Sequence, residues 1–178
     1  PRPTGGAEMD LGFDVVSLPE TDHVAVGETA PDFTRPLVGP EFWEDRSLAS
    51  VVDGPTLLVF HPMDGAFQTT YMYNEIDERG WVDAVDVVGV SISSPYEHAG
   101  LLADRGDGVR AFSDPSAAVA ADYGVTHDID GMAGVTECRP AVFLLDAART
   151  VQYAWVADEH PAFPEYDAVE DAIDALVE

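Results

Sequence analysis

The chain carries one cysteine, Cys138, placed directly before Arg139. A thiolate is the most reactive nucleophile that side chains offer, and an adjacent cation favours it over the thiol. Cys138 beside Arg139 is therefore the first pair to weigh for redox chemistry. A single cysteine excludes an intrachain disulfide and any cysteine-rich metal site. His61, Asp64, His98, His127, Asp128 and Asp130 are residue types that ligate metals. The spacings His61-x-x-Asp64 and His127-x-x-Asp130, however, arise by chance in a chain this rich in acids, and no metal is expected. Ser91-Ile92-Ser93-Ser94 lacks the Gly-x-Ser-x-Gly setting of a hydrolase nucleophile. Gly131-Met132-Ala133-Gly134 does not open a helix after a strand, so it is not a phosphate or dinucleotide loop, and no cofactor is expected.

The elements that must position these residues are legible as alternating patterns. Thr56-Leu57-Leu58-Val59-Phe60, introduced by Gly54-Pro55, reads as a buried strand reaching residue 61. Residues 84–92 read as a second strand, parallel to the first, and 140–146 as a third. A turn over Asp146–Arg149 leads into a fourth at 151–157, antiparallel to the third. Runs without alternation imply strands covered on both faces. Helices are expected at 69–79, stopping at Gly80, and at 95–104, with Pro95 in the first turn after Ser94. Two more are expected at 114–123, stopping at Gly124, and at 167–177, where Asp167 and Glu170 resemble a capping box. Tyr166, Val169, Ile173 and Leu176 form the apolar stripe of that last helix. Strands alternating with helices, then a hairpin and a terminal helix, make an α/β fold of thioredoxin type, a central mixed sheet flanked by helices. Residues 1–22 read as a loose arm and 23–178 as the domain.

Composition bounds the function. In 178 residues, 34 acids face eight cations, giving a net charge of −26; all eight cations are Arg and Lys is absent. Nucleic-acid and anionic-membrane binding both need a basic footprint and are not expected. No apolar run approaches the roughly 20 residues of a membrane helix. The first ten residues lack an apolar core and a cleavage pattern, so the cytoplasm is the expected compartment. With 46% hydrophobic residues, a disordered acidic chain is excluded. The remaining reading is a fold adapted to molar salt, where the Debye length falls to about 3 Å, and this composition is similar to that of haloarchaeal proteins.

Five ordered segments carry a family resemblance. Val26-Gly27-Glu28-Thr29-Ala30-Pro31-Asp32-Phe33-Thr34 resembles the opening of the peroxiredoxins, the alkyl hydroperoxide reductase and thiol-specific antioxidant family. Leu57-Leu58-Val59-Phe60-His61-Pro62 resembles their strand into the active-site loop. Val88-Gly89-Val90-Ser91 with Ser94-Pro95-Tyr96-Glu97-His98 is similar to their next strand and helix start. Phe112-Ser113-Asp114-Pro115 with Ala121-Asp122-Tyr123-Gly124-Val125 resembles their third helix. Arg139-Pro140 followed by Ala141-Val142-Phe143-Leu144-Leu145-Asp146 resembles the strand that carries their active-site arginine. The resemblance implies a thioredoxin-like fold of peroxiredoxin type and an antioxidant, thiol-dependent oxidoreductase. Pro62 and Arg139 would bind the peroxide, and a homodimer stays open as the assembly. Pro140 falls where thioredoxin-like folds often place a cis-proline.

The resemblance fails at the nucleophile. The family pattern Pro-x-x-x-Thr/Ser-x-x-Cys sets a thiolate at a helix N-terminus, where the helix dipole stabilises it. Counted without gaps from Pro62, Ala66 occupies the Thr position and Thr69 the Cys position. Counting from Phe67 selects Tyr71, and counting back from Glu75-Ile76 selects Met72; none is a cysteine. The hydroxyl of Thr69 or Thr70 is hardly ionised near neutral pH and cannot cycle through a sulfenic acid. Arg139 then has two readings: a guanidinium that holds an anion or peroxide, or a buried cation paired with Glu or Asp. Neighbours in an extended segment point apart, so an Arg139 facing the pocket turns Cys138 into the interior as a small buried thiol. The expected function is a peroxiredoxin-like protein without peroxidase activity, with a binding or assembly role. The alternative is an active thiol peroxidase using Cys138.

Overall fold

The computed structural model describes residues 14–105 and 108–178. The first half of the chain forms β1 (Val16–Ser17), β2 (Thr34–Val38), β3 (Trp43–Ser47), α1 (Leu48–Val51), β4 (Thr56–Phe60) and α2 (Phe67–Arg79). β5 (Asp86–Ser91), α3 (Pro95–Leu102), β6 (Val109–Ser113) and α4 (Ala118–Tyr123) follow. The chain closes with β7 (Thr126–His127), β8 (Glu137–Cys138), β9 (Ala141–Leu145), β10 (Val151–Val156), β11 (Glu159–His160) and α5 (Tyr166–Val177).

Seven strands form the central sheet in the order β10-β9-β4-β5-β6-β2-β3. β4, β5 and β6 run parallel, and β9 pairs antiparallel with both β4 and β10. The uninterrupted apolar runs are explained by burial on both faces. Leu58, Phe60, Val88, Val90 and Phe143 pack on one side with α1 and α4. Leu57, Val59, Val87, Val142 and Leu144 pack on the other with α2 and α5. At about 25 cal/mol per Å2 of apolar surface removed from water, this double burial is the largest favourable contribution to the fold.

Helix boundaries follow local chemistry. Ser94 and Glu97 form a reciprocal capping box at α3, with Pro95 at its first position. Gly80 ends α2 at φ +66° and Gly124 ends α4 at φ +73°, a backbone region that costs an L side chain energy. A Cβ on Gly124 would also lie 2.7 Å from the Asp22 carbonyl oxygen, because the N-terminal segment crosses there.

Several expectations are corrected. The helix expected at 114–123 begins at Ala118: the Asp114 carboxylate accepts from the backbone N–H of Val119 at 2.9 Å, and Ala117 sits at φ +57°. Residues 112–113 belong to β6, and the β2–β3 hairpin extends the sheet beyond the four strands expected. Asp167 and Glu170 do not cap α5; both ion-pair with Arg79, and Glu170 also accepts from the Trp81 indole. The cis X-Pro bond among the described residues is His160–Pro161, so Arg139–Pro140 is trans. The expected loose arm divides. Residues 1–13 lie outside the described residues, but 14–22 are docked, with β1 paired to β11 and Thr21 bonded to the Gly124 carbonyl.

Candidate functional site

β4 ends at Phe60 and delivers His61 and Pro62, both buried, beneath the start of α2. Ala66 is the N-cap residue; it has extended backbone and no side chain able to cap. Thr69 is therefore the third residue of the helix, the position that the gapless count assigned to the missing cysteine. Tyr71 is 42% exposed on the outer face, whereas Met72 is buried against the sheet, so neither occupies the helix start. Thr69 Oγ lies 3.1 and 3.0 Å from the Pro62 and Met63 carbonyl oxygens, which take its hydroxyl proton. Thr70 is exposed one residue further on. A buried hydroxyl already committed to two carbonyls has neither the ionisation nor the freedom of a nucleophile.

Under this turn lies a polar cluster. His61 Nδ1 donates to the Pro62 carbonyl at 2.7 Å. Burial, opposed by Asp64, pushes the His61 imidazole down to about 4 and keeps it neutral. His61 Nε2 and the Tyr73 hydroxyl are buried without partners and meet over Gly89, where a Cβ would collide with that hydroxyl. The Asp64 carboxylate receives His98 Nδ1 at 2.7 Å, while His98 Nε2 donates to the Phe112 carbonyl at 3.0 Å. The Asp64 backbone N–H donates to Ser93 Oγ at 2.9 Å. With Ser91 Oγ, which donates to the Asp64 carboxylate at 3.4 Å, these bonds tie the remodelled loop to β5, α3 and β6. Nothing in the residue spacing announced the pairing, and His98 and Asp64 entered the sequence reading only as candidate ligands. Among the described residues, no group of three His, Cys, Asp or Glu side chains is placed to hold a metal ion.

Cys138 lies elsewhere. Its thiol is fully buried in the core cluster with Phe60, Tyr123 and Phe143, on the sheet face opposite to α2. Burial pushes the thiol well above its ordinary range, and Asp114 and Glu137 add to the rise. Arg139 points to the N-terminal segment. Its guanidinium donates to the carbonyls of Pro19 at 3.0 Å, Ala157 at 3.2 Å and Thr126 at 3.4 Å. Of the two readings of Arg139, the acidic partner is not found: Arg139 makes no ion pair among the described residues, its terminal nitrogens donate to backbone carbonyls, and its Nε is buried without a partner. Nor does Arg139 line the clefts at the start of α2. Pro62, Thr69 and Thr70 are thus together, while Cys138 and Arg139 are turned elsewhere.

A cleft of ≈440 Å3 opens at this helix start, with Met63, Ala66, Gln68 and Ser93 in its wall and three carboxylates, Asp64, Glu97 and Asp130, around it. Glu137, buried, accepts from the Met63 backbone N–H at 3.2 Å. Burial and a hydrogen bond with Asp130 push Glu137 up to about 7. Glu137 was missed in the sequence because a chain with 34 acids gives no single carboxylate contrast. No helix among the described residues is long and apolar enough to cross a membrane.

Comparison with known proteins completes the picture. The AhpC/TSA family profile matches residues 26–154. A protein of Pyropia yezoensis named as peroxiredoxin ycf42 is 28% identical over 145 residues, which is 74% of this chain and 68% of that one. Among solved structures, peroxidoxin BcpB of Mycobacterium tuberculosis superposes with a TM-score of 0.69 at 23% identity, covering 86% of this chain and 97% of that one. The reduced 2-Cys peroxiredoxin of Plasmodium vivax gives 0.70 at 24% identity, covering 85% and 81%.

Proposed function

Because the chain belongs to the AhpC/TSA family, the peroxiredoxins, we propose that it is a member without thiol-peroxidase activity that uses the family fold for binding. The carrying observation is the helix start itself. Thr69, the position that the gapless count from Pro62 gives to the nucleophile, is buried and bonded to two carbonyls. The sole thiol is buried on the other face of the sheet. Reduction of a peroxide requires a thiolate about 3–3.5 Å from the O–O bond and in line with it. Cys138 has neither the ionisation nor the access, and the terminal nitrogens of Arg139 are bonded to backbone carbonyls away from the helix start.

The chemistry that this chain's own residues perform is accordingly non-redox. The Asp64–His98 pair and the Asp64–Ser93 bond hold the loop closed over β4. The acid-lined cleft beside it favours neutral or cationic guests over anions. The fold adapted to molar salt remains part of this proposal, supported by the charge of −26 and the absence of Lys.

The test is peroxide consumption in molar KCl with dithiothreitol or thioredoxin as reductant, wild type beside Cys138→Ser. The two proteins should consume peroxide at the same low rate. Fast turnover that disappears in the variant would make Cys138 the nucleophile and overturn the proposal.

A further inference from the structure

At the other end of the sheet from Thr69, the turn joining β2 to β3 and the flank of α3 enclose a second cleft. The strands fix its place. Val109, the first residue of β6, lines it, whereas Thr69 sits beyond the C-terminal ends of β4 and β5. The cleft measures ≈290 Å3, near the lower limit of about 300 Å3 for small-molecule sites. Val38, Pro40, Leu102 and Val109 form its walls together with the rings of Phe42 and Trp43.

Three features distinguish it from an ordinary surface dent. First, the aromatic rings are displayed rather than packed away: Phe42 is 72% exposed and Tyr96 76%. Trp43, in the wall, is 6.4 Å from Phe42, and Tyr96, outside the wall, packs edge-to-face on Trp43 at 5.0 Å. Second, the arginine–aromatic contacts among the described residues use Arg79 and Arg105 on Trp81, Tyr166 and Tyr73, leaving these three rings without a cation from the chain. Third, Glu41 is the one charged residue in the wall, and it forms no ion pair among the described residues. Arg46 and Arg110 line an adjoining cleft across the turn that shares Glu41 and Phe42; there Arg46 is paired with Glu44.

Aromatic faces attract cations through their quadrupole, and a nearby carboxylate adds Coulomb attraction. An apolar wall in turn favours a cation whose charge is wrapped in alkyl groups over a strongly hydrated one. The volume admits a headgroup and not a protein segment. We propose that this cleft binds a small quaternary-ammonium cation, with Trp43 and Phe42 against its alkyl groups and Glu41 against its charge. The site stands on its own observations, so peroxide turnover at the other end of the sheet would leave it untouched.

Choline chloride is the probe, and 3,3-dimethyl-1-butanol, its uncharged carbon analogue, is the control. Calorimetric titration at one fixed KCl concentration compares wild type, Phe42→Leu and Glu41→Gln. Both side chains are exposed, and equal melting temperatures would confirm that the variants fold. Choline should bind saturably at one site per chain, and the neutral analogue about tenfold more weakly or worse. Each variant should weaken choline by about three- to thirtyfold. Equal binding of the analogue would reveal a plain apolar pocket and overturn the proposal. So would choline binding that neither variant changes, or no saturable binding below about 100 mM, a free energy near −1.4 kcal/mol. A solution dimer that buries Phe42 and Tyr96 would also overturn it.

Discussion

Glu137 and His61 titrate against the fold in opposite directions. Burial and Asp130 push the Glu137 carboxyl from 4.5 up to about 7. The folded protein thus holds this proton more tightly than the unfolded chain, and the stability it confers is complete below pH 4.5 and lost as pH rises through 7. Burial pushes His61 from 6.5 down to about 4. Its contribution is complete above pH 6.5 and lost as pH falls through 4. Between pH 4.5 and 6.5 the two slopes oppose each other, so wild-type stability should be nearly flat there on account of these groups. Glu137→Gln keeps an oxygen for the Met63 N–H and removes the titration. Its stability relative to wild type should rise from pH 5 to pH 8, measured by urea midpoints at fixed salt; a constant difference would show that Glu137 is not strained by ionisation. At this scale the sequence was partly legible. The absence of a cysteine near Pro62 and the burial of the Cys138 thiol followed from residue order and type, whereas Arg139, buried as well, does not face the helix start. The partners of Arg139 and Glu137 did not follow, because they come from Pro19, Thr126, Ala157 and Met63, all distant along the chain.

At the scale of elements, α2 and β5 carry the strain and the slack of the site. Ala66 caps α2 without a side-chain acceptor, so Ala66→Ser should stabilise the protein by about 0.5–1 kcal/mol. Gly89 on β5 works the other way. A Cβ there meets the Tyr73 hydroxyl and lies 3.1 Å from His61 Nε2, and both side chains are fully buried. Gly89→Ala should therefore cost about 1–3 kcal/mol, as overpacking in a closed core does. Denaturant melts of the two variants decide both; a neutral Gly89→Ala would mean that the Tyr73 ring shifts freely. The elements with strong apolar runs, β4, β5 and β9, were legible because burial on both faces writes itself into composition, and the half-buried edge strand β10 was legible as the hairpin partner of β9. β2 and β3 were not: Thr34-Arg35-Pro36-Leu37-Val38 and Trp43-Glu44-Asp45-Arg46-Ser47 have half-polar sequences, and backbone pairing at the sheet edge holds them in place. The start of α4 was misplaced because Asp114-Pro115 looks like a helix opening. The Asp114 carboxylate instead reaches ahead to the N–H groups of Val119 and Ala120.

At the scale of the whole molecule, a net charge of −26 acts on every fold property at once. The Debye length grows from about 3 Å in molar salt to about 10 Å at 0.1 M, and carboxylate repulsion across the surface grows with it. The melting temperature should fall on moving from molar KCl to 0.1 M; an unchanged value would separate the charge from salt adaptation. The fold also governs the central claim, that the protein retains a peroxiredoxin architecture whose only thiol is shielded from peroxide. Cys138 is closed in by Phe60, Tyr123 and Phe143. A single-turnover experiment tests this without any assumption about reductant. The native protein in molar salt is exposed to hydrogen peroxide, and the oxidation state of Cys138 is mapped by peptide mass spectrometry beside a denatured control. Cys138 should remain a thiol in the native protein, with the exposed Met132 oxidised before it, and should oxidise readily once unfolded. Oxidation of native Cys138 within seconds, ahead of Met132, would contradict the claim.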